Sequence, residues 1–354
     1  MGGAFNITIP VGGGTHTGPG ETLSYVVAGI GATITQDGSS ATFTITPLVS
    51  GTNTMLAIVS DGCQIATRQF TFTSAPVFAG YVGVCPGTFE MGETATPHTV
   101  TLTKGFYMKV TEVTQGEWKV AYPAVGIFPA WNPSGKNNNS CDTCPVEQVT
   151  WYESAAYANK LSLEASPALT PCYTFASVVC GNSEDVATDY AHCMNAEHWG
   201  INSATVTVTG GATPYGCTGY RLQTESEWEY AARAGTTGDH YGEELSPPKT
   251  IYEIAWSFYT SDGTTHPVGM LPANQWGLYD MLGNVWEWTW DWYAAEYMEP
   301  YTDPTGPLTG LLRTLRGGCW SSDAWNTRAV SRNSYGVPGY RYDSAVGLRP
   351  VRSL

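Results

Sequence analysis

Residues 316–354, RGGCWSSDAWNTRAVSRNSYGVPGYRYDSAVGLRPVRSL, hold the densest set of side chains suited to noncovalent recognition. Ser322, Asp323, Trp325, Asn326, Ser331, Asn333, Ser334, Tyr335, Tyr340, Tyr342, Asp343 and Ser344 are the types that build contact surfaces. Rigid aromatic rings supply area there, and small polar groups supply adaptable hydrogen bonds. Gly317, Gly318, Trp320, Arg328, Arg332, Pro338 and the Gly347–Arg349 run read as the framework around them. We expect this segment to be a ligand-binding surface. Its arginines carry enough donors to bond loop carbonyls, with direct ligand contact as the competing reading for Arg341.

Covalent chemistry finds little support. No serine sits in a GxSxG elbow and no glycine loop has phosphate-binding spacing. His16, His98, His192, His198, His240 and His266 are scattered without ligand spacing. Cys141 and Cys144 form a CxxC with no second pair to complete a zinc site, so a local disulfide or two free thiols is the plainer reading. Nine cysteines suggest an oxidising destination, with disulfides among Cys172, Cys180, Cys193 and Cys217 and at least one thiol unpaired.

Sixteen Lys and Arg against 31 Asp and Glu give a formal charge of −15. Phosphate backbones and anionic headgroups would repel such a chain, so neither nucleic acid nor a membrane surface is an expected partner. No apolar run has the length of a membrane span, and Met1-Gly2-Gly3 does not open a signal peptide. An extracellular, cell-surface or virion-surface location then requires a leader absent here or another route.

The elements that must position the C-terminal surface begin with a change of texture. Residues 1–76 contain one basic residue, Arg68, and alternate as short strands, for example Phe5, Ile7, Ile9 and Val11. Asp37-Gly38 and Asp61-Gly62 are hairpin signals, and about seven strands in this span predict an all-β immunoglobulin-like sandwich. From residue 77 onward aromatic and charged residues rise. Thr114 to Glu117, Thr150 to Glu153 and Thr224 to Glu227 each have capping-box spacing and predict three helix starts. The Gly-, Thr- and Cys-rich stretch 162–219 should be cross-linked and contain short strands, including 204–208. Trp286, Trp288, Trp290 and Trp292 alternate, which puts them on one strand face as core with Glu287, Thr289 and Asp291 opposite.

PGTFEMG (86–92), FYMKVTEVTQGEW (106–118), CPVEQVTWYESAAYANKL (144–161), GYRLQTESEWEYAARAGT (219–236), GLYDMLGNVWEW (277–288) and LRGGCW with GLR closely resemble the formylglycine-generating enzyme, or sulfatase-modifying factor, domain. The resemblance implies an α+β, C-type lectin-like domain over 77–354, with 316–354 as its binding region. Catalytic members carry a C-terminal cysteine pair that binds copper. The corresponding positions fall at about Ala324 and Ala329, and alanine cannot supply a soft thiolate ligand, so no copper is expected. Cys319 lies outside the pair's spacing and reads as buried and inert. The tail is similar to the variable proteins of diversity-generating retroelements, which place a hypervariable segment at this position. A backbone that tolerates changing contact residues must be fixed by residues that do not change. The resemblance also implies a structural Ca²⁺ site at Asp280, Gly283, Val285 and Glu287, an oxygen-rich set suited to a hard cation. The expected function is therefore a noncatalytic receptor or adhesin for a protein or glycan at a cell or virus surface. An oxidase is the alternative, and a surface protein without a specific ligand is the third reading.

Overall fold

The computed structural model describes residues 79–354 except 94, 125–126, 128–129, 137–139, 183–185, 188, 212 and 343–344, and before them only the backbone of six strands. The chain divides into two compact units, Met1–Gly83 and Val84–Leu354.

In the first unit, β1 (Phe5–Pro10), β4 (Ser40–Ile45) and β3 (Ala32–Asp37) form one antiparallel sheet in the order β1-β4-β3. A second sheet has the order β2-β5-β6, from β2 (Ser24–Ala28), β5 (Gly51–Ser60) and β6 (Ile65–Ser74). Hairpins pair Asp37 with Ser40 and Ser60 with Ile65, around the two Asp-Gly signals. These registers follow the predicted alternation. The turn residues themselves lie outside the described set.

Strand β7 (Tyr81–Val84) crosses the boundary. In the second unit, β8 (Gly87–Met91) and β9 (His98–Leu102) form a hairpin, followed by β10 (Phe106–Lys109). Helices α1 (Gln115–Ala121) and α2 (Trp151–Glu164) come next, each opened by its predicted box. The Thr114 and Thr150 hydroxyls accept from the Glu117 and Glu153 amides, and each carboxylate returns to the threonine N–H. The cysteine-rich stretch folds into β11 (Tyr173–Cys180), β12 (Val186–Ala187), α3 (Tyr190–Cys193) and β13 (Ile201–Val208). Disulfides Cys172–Cys217 and Cys180–Cys193 staple it, and Cys141–Cys144 closes the CxxC. Cys85 and Cys319 are free thiols.

β14 (Tyr220–Leu222) leads into α4 (Glu225–Arg233), capped by Thr224 and Glu227 as its sequence predicts. Ala234 takes the left-handed conformation that ends the helix, one residue before the expected Gly235. A short helix α5 (Ile251–Ile254) carries a fourth box, Thr250 with Glu253, that has the same sequence signature and was not predicted.

The last elements are β15 (Trp286–Trp292), β16 (Arg313–Arg316), β17 (Arg332–Gly336), β18 (Val346–Gly347) and β19 (Pro350–Ser353). One sheet runs β17-β16-β15-β18, so the tryptophan strand lies directly under the C-terminal segment. The final strand, β19, inserts between β14 and β10. Both faces of β15 are covered. Glu287, Thr289 and Asp291 are at most 3 % exposed, while Trp290 and Trp292 are only half-buried. This corrects the expectation of one apolar core face. The carboxylates face a buried layer of arginines and amides, and the outer indoles pack against the Arg313 guanidinium, 3.5 Å from the Trp292 ring.

Candidate ligand-binding face

The C-terminal segment is irregular over most of its length, so its shape depends on what its polar groups bond. Arginine does most of this. Arg316, fully buried, pairs with Glu229 of α4 and donates to the carbonyls of Val330 and Ser331, 2.9 and 2.6 Å away. Arg332 grips Glu225 through Nε and Nη2 (2.5 and 2.9 Å) and donates to the Ala294 carbonyl. Arg328 forms a two-point pair with Glu93 at 3.1 and 2.9 Å and also bonds the Trp325 carbonyl. Arg341 pairs with Glu153 and donates to the carbonyls of Gln148 (2.7 Å) and Trp199 (2.5 Å). Its role is therefore structural, in favour of the carbonyl-bonding alternative. Planar guanidinium suits such two-point contacts where a lysine ammonium does not.

Burial raises the pKa of several partner acids. Glu153 is pushed up by desolvation against the pull of Arg341, and Asp291 is pushed well up by desolvation and the nearby Glu225 charge. Arg332 moves the opposite way to desolvation, upward, because the Glu225 carboxylate holds its proton.

Glycines supply the close approaches. Gly317 and Gly318 have φ of 102° and 81°, and a Cβ on Gly318 would sit 3.0 Å from the Asn326 carbonyl. Gly347 has the Val146 carbonyl 2.6 Å from where a Cβ would stand.

On this frame the sequence-predicted contact residues separate into groups. Trp325, Tyr335 and Tyr340 are 66 %, 74 % and 56 % exposed. Asp323 and Asn326 are exposed beside them, and Asn333, Ser334 and Tyr342 are half-buried. Ser322 and Ser331 are a correction: both are buried. The Ser322 hydroxyl accepts from the Cys319 amide at 3.0 Å, and Ser331 Oγ donates to the Trp325 carbonyl at 2.7 Å, so each is spent on the loop. Asp343 and Ser344 lie outside the described residues. Beside Trp325 and Asn326 opens a cavity of about 330 Å³, lined also by Glu93, His98, Tyr297 and Arg332. Both of its arginines spend their donors on carboxylates and carbonyls.

The positions expected to correspond to a copper-binding pair are Ala324, half-buried, and Ala329, buried with its N–H on the Asp239 carbonyl. Cys319 is the single cysteine from Arg316 onward. It is 3 % exposed, with its Sγ 3.2 Å from Ser321 Oγ. The thiolate pair that copper chemistry requires is absent from this segment.

At the expected calcium position the oxygens divide. Asp280 Oδ2 accepts from the Gly269 amide (2.6 Å), while its buried Oδ1 has no hydrogen-bond partner. Its carboxyl is pushed up to about 6 by burial. Glu287 has both oxygens engaged, Oε1 by Arg349 (2.8 Å) and Oε2 by Trp228 and Gln223. Glu112, which sequence reasoning missed, is buried with neither oxygen hydrogen-bonded and 3.9 Å from Arg349. Gly283 and Val285 precede β15 and offer only backbone oxygen. Among the described residues, no three His, Cys, Asp or Glu side chains are grouped to hold a metal. Asp280 Oδ1 is thus a buried oxygen without a hydrogen-bond partner, whereas Glu287 has no oxygen left for a cation.

Sequence and structural comparison place this architecture. Residues 69–354 match the sulfatase-modifying factor enzyme 1-like domain, and the chain belongs to that family. Among solved structures, Treponema denticola variable protein 1 superimposes with a TM-score of 0.59 and 29 % identity, over 87 % of this chain and 100 % of that one. The domain accordingly has a mixed α and β, C-type lectin-like fold. The serine/threonine-protein kinase pkn1 of Chlamydia caviae is 42 % identical over 156 residues, 41 % of this chain and 24 % of that protein. The chain therefore spans about a quarter of the length of that relative. The formylglycine-generating enzyme of Streptomyces coelicolor is 41 % identical over 131 residues, 33 % of this chain and 42 % of the enzyme.

Proposed function

We propose that this protein is a noncatalytic, receptor-like variable protein of a diversity-generating retroelement, binding its ligand through the C-terminal face. The observation that carries this is the division of labour within residues 316–354. Exposed Trp325, Tyr335 and Tyr340 project from a backbone whose fixing contacts are made by other side chains. Those arginines bond carboxylates and carbonyls, and Arg328 also stacks on the Trp325 ring, 3.5 Å away. The likeness to the Treponema denticola variable protein supports the reading. The ligand is a protein or glycan at a cell or virus surface, and nucleic acid and inserted membrane are not partners. No helix among the described residues is long and apolar enough to cross a membrane, and three disulfides fit an oxidising, extracellular setting. The N-terminal pair of sheets is proposed to be an immunoglobulin-like module that spaces the binding domain.

Deep sequencing of the 3′ end of the gene across a population tests this. Variation should concentrate at codons 323, 325, 326, 333–335, 340 and 342 and spare those of Arg316, Arg328, Arg332 and Arg341. A uniform distribution would sink the reading. The oxidase reading, favoured by the named activity of the Streptomyces coelicolor relative, demands stoichiometric copper with oxidation of a substrate thiol, and both together would replace ours. A structural calcium ion at Asp280, completed by carbonyls of Gly283 and Val285, is also proposed. A melting temperature that chelator leaves unchanged would remove it.

A further inference from the structure

We propose that the disulfide-stapled segment between α2 and α4 contributes a fixed aromatic, Trp199, to the face that carries Tyr340, and that this two-part face takes an uncharged, apolar loop of a folded protein. It rests on the preceding reading for its C-terminal half, and adds a residue outside 316–354 and a partner class.

Trp199 is 62 % exposed. Its φ is +59°, a region that bulky side chains avoid. An indole kept in water on an unfavourable backbone is the kind of outlier that marks a functional position. The surroundings hold it there. Trp199 N–H donates to the Asn195 carbonyl at 3.0 Å, and Gly200 N–H to the Cys193 carbonyl at 2.8 Å. The Cys180–Cys193 disulfide closes the same turn. Gly200, with φ +79°, has Glu153, Arg341 and Trp131 where a side chain would stand.

The link to the C-terminal segment is direct. Arg341, next to Tyr340 in the chain, donates to the Trp199 carbonyl at 2.5 Å while paired with Glu153. Gly339 packs against the Asn202 carbonyl, and Pro338 accepts from the Trp151 N–H. Trp199 and Tyr340 are therefore carried on backbones joined by one side chain. Val337 (47 % exposed) and Tyr335 lie on the same loop.

The charge pattern selects the partner. Glu153 neutralises Arg341, the charged side chain that links the two backbones, and Trp199, Tyr335, Val337 and Tyr340 are themselves uncharged aromatic or aliphatic groups. Depletion of charge with enrichment in Trp and Tyr is the composition of a protein interface core.

The intact chain, disulfides oxidised, would be panned against a phage-displayed random peptide library, and enriched peptides measured on variants. Trp199→Ala and Tyr340→Ala should each weaken binding by about tenfold or more, as truncated hot spots do. Val120→Ala, an exposed position on α1, should stay within about twofold. Trp199→Gly should lose binding while keeping or raising the melting temperature, because glycine favours that φ. Loss with Tyr340→Ala alone would overturn the role of Trp199 and leave the C-terminal reading standing. Loss with neither would overturn both. Loss with Trp199→Ala alone would overturn the shared face. Failure to enrich peptides, or displacement of them by methyl glycosides, would overturn the partner class. A lowered melting temperature in Trp199→Gly would make the indole structural and overturn its binding role.

Discussion

From Arg316 to the C-terminus the charged and the aromatic side chains have exchanged their usual places. Arg316 and Arg349 are fully buried and Arg328 is 8 % exposed, whereas Trp325, Tyr335 and Tyr340 are mostly in water. Ordinary partition puts arginine outside and rings inside. The inversion is affordable because Arg316, Arg328, Arg332, Arg341 and Arg349 each meet a carboxylate from another segment: Glu229, Glu93, Glu225, Glu153 and Glu287 in turn. A long side chain with several donors can fix a loop that has no ladder of its own, and it does so from outside the contact surface. The arginines and the exposed Trp325, Tyr335 and Tyr340 thus play different structural parts in one segment, although Asp323, Asn333 and Tyr342 also bond loop amides.

The sharpest way to break this contrast is to remove a clamp. Arg316→Met leaves Glu229 Oε2 and the carbonyls of Val330 and Ser331 without their partner while Arg233 still pairs with Oε1, and should cost about 3 kcal/mol, the low end for breaking a buried pair. Arg341→Ala should cost less, about 2 kcal/mol, because its side chain is 29 % exposed and water replaces part of what is lost. Urea midpoints at constant slope would measure both, and a loss below about 1 kcal/mol for Arg316→Met would contradict the clamp. At the small end, alanine at Tyr335 or Tyr340 should change stability by no more than about 0.5 kcal/mol each. A loss of several kcal/mol at either of these would mean that the face is part of the scaffold.

Several features were legible beforehand for local reasons. Capping boxes at Thr114, Thr150 and Thr224 form because hydroxyl and carboxylate satisfy amides within one turn, and spacing alone reveals that. The Thr250–Glu253 box was equally legible and was passed over in a short, uneven stretch. The cysteine pairs fell within the expected set of four. On β15 the alternation separates the indoles from Glu287, Thr289 and Asp291 but does not reveal that the polar face is the more deeply buried along its outer half, which depends on the partners the fold brings it. Ser322 and Ser331 share composition with the exposed positions, and it is their burial that tells them apart.

By itself the sequence determined the family resemblance, the helix starts, the segment rich in contact residues and the missing cysteine pair. Each depends on residue identity or on spacing within a few positions. Tertiary structure alone decided which glutamate each arginine meets, which serines are spent inside, and that Arg341, the neighbour of Tyr340 in the chain, bonds the Trp199 carbonyl. Those pairings join residues as much as 235 positions apart, as in Arg328 with Glu93. Their geometry comes from how sheets and helices pack, which short-range pattern does not encode.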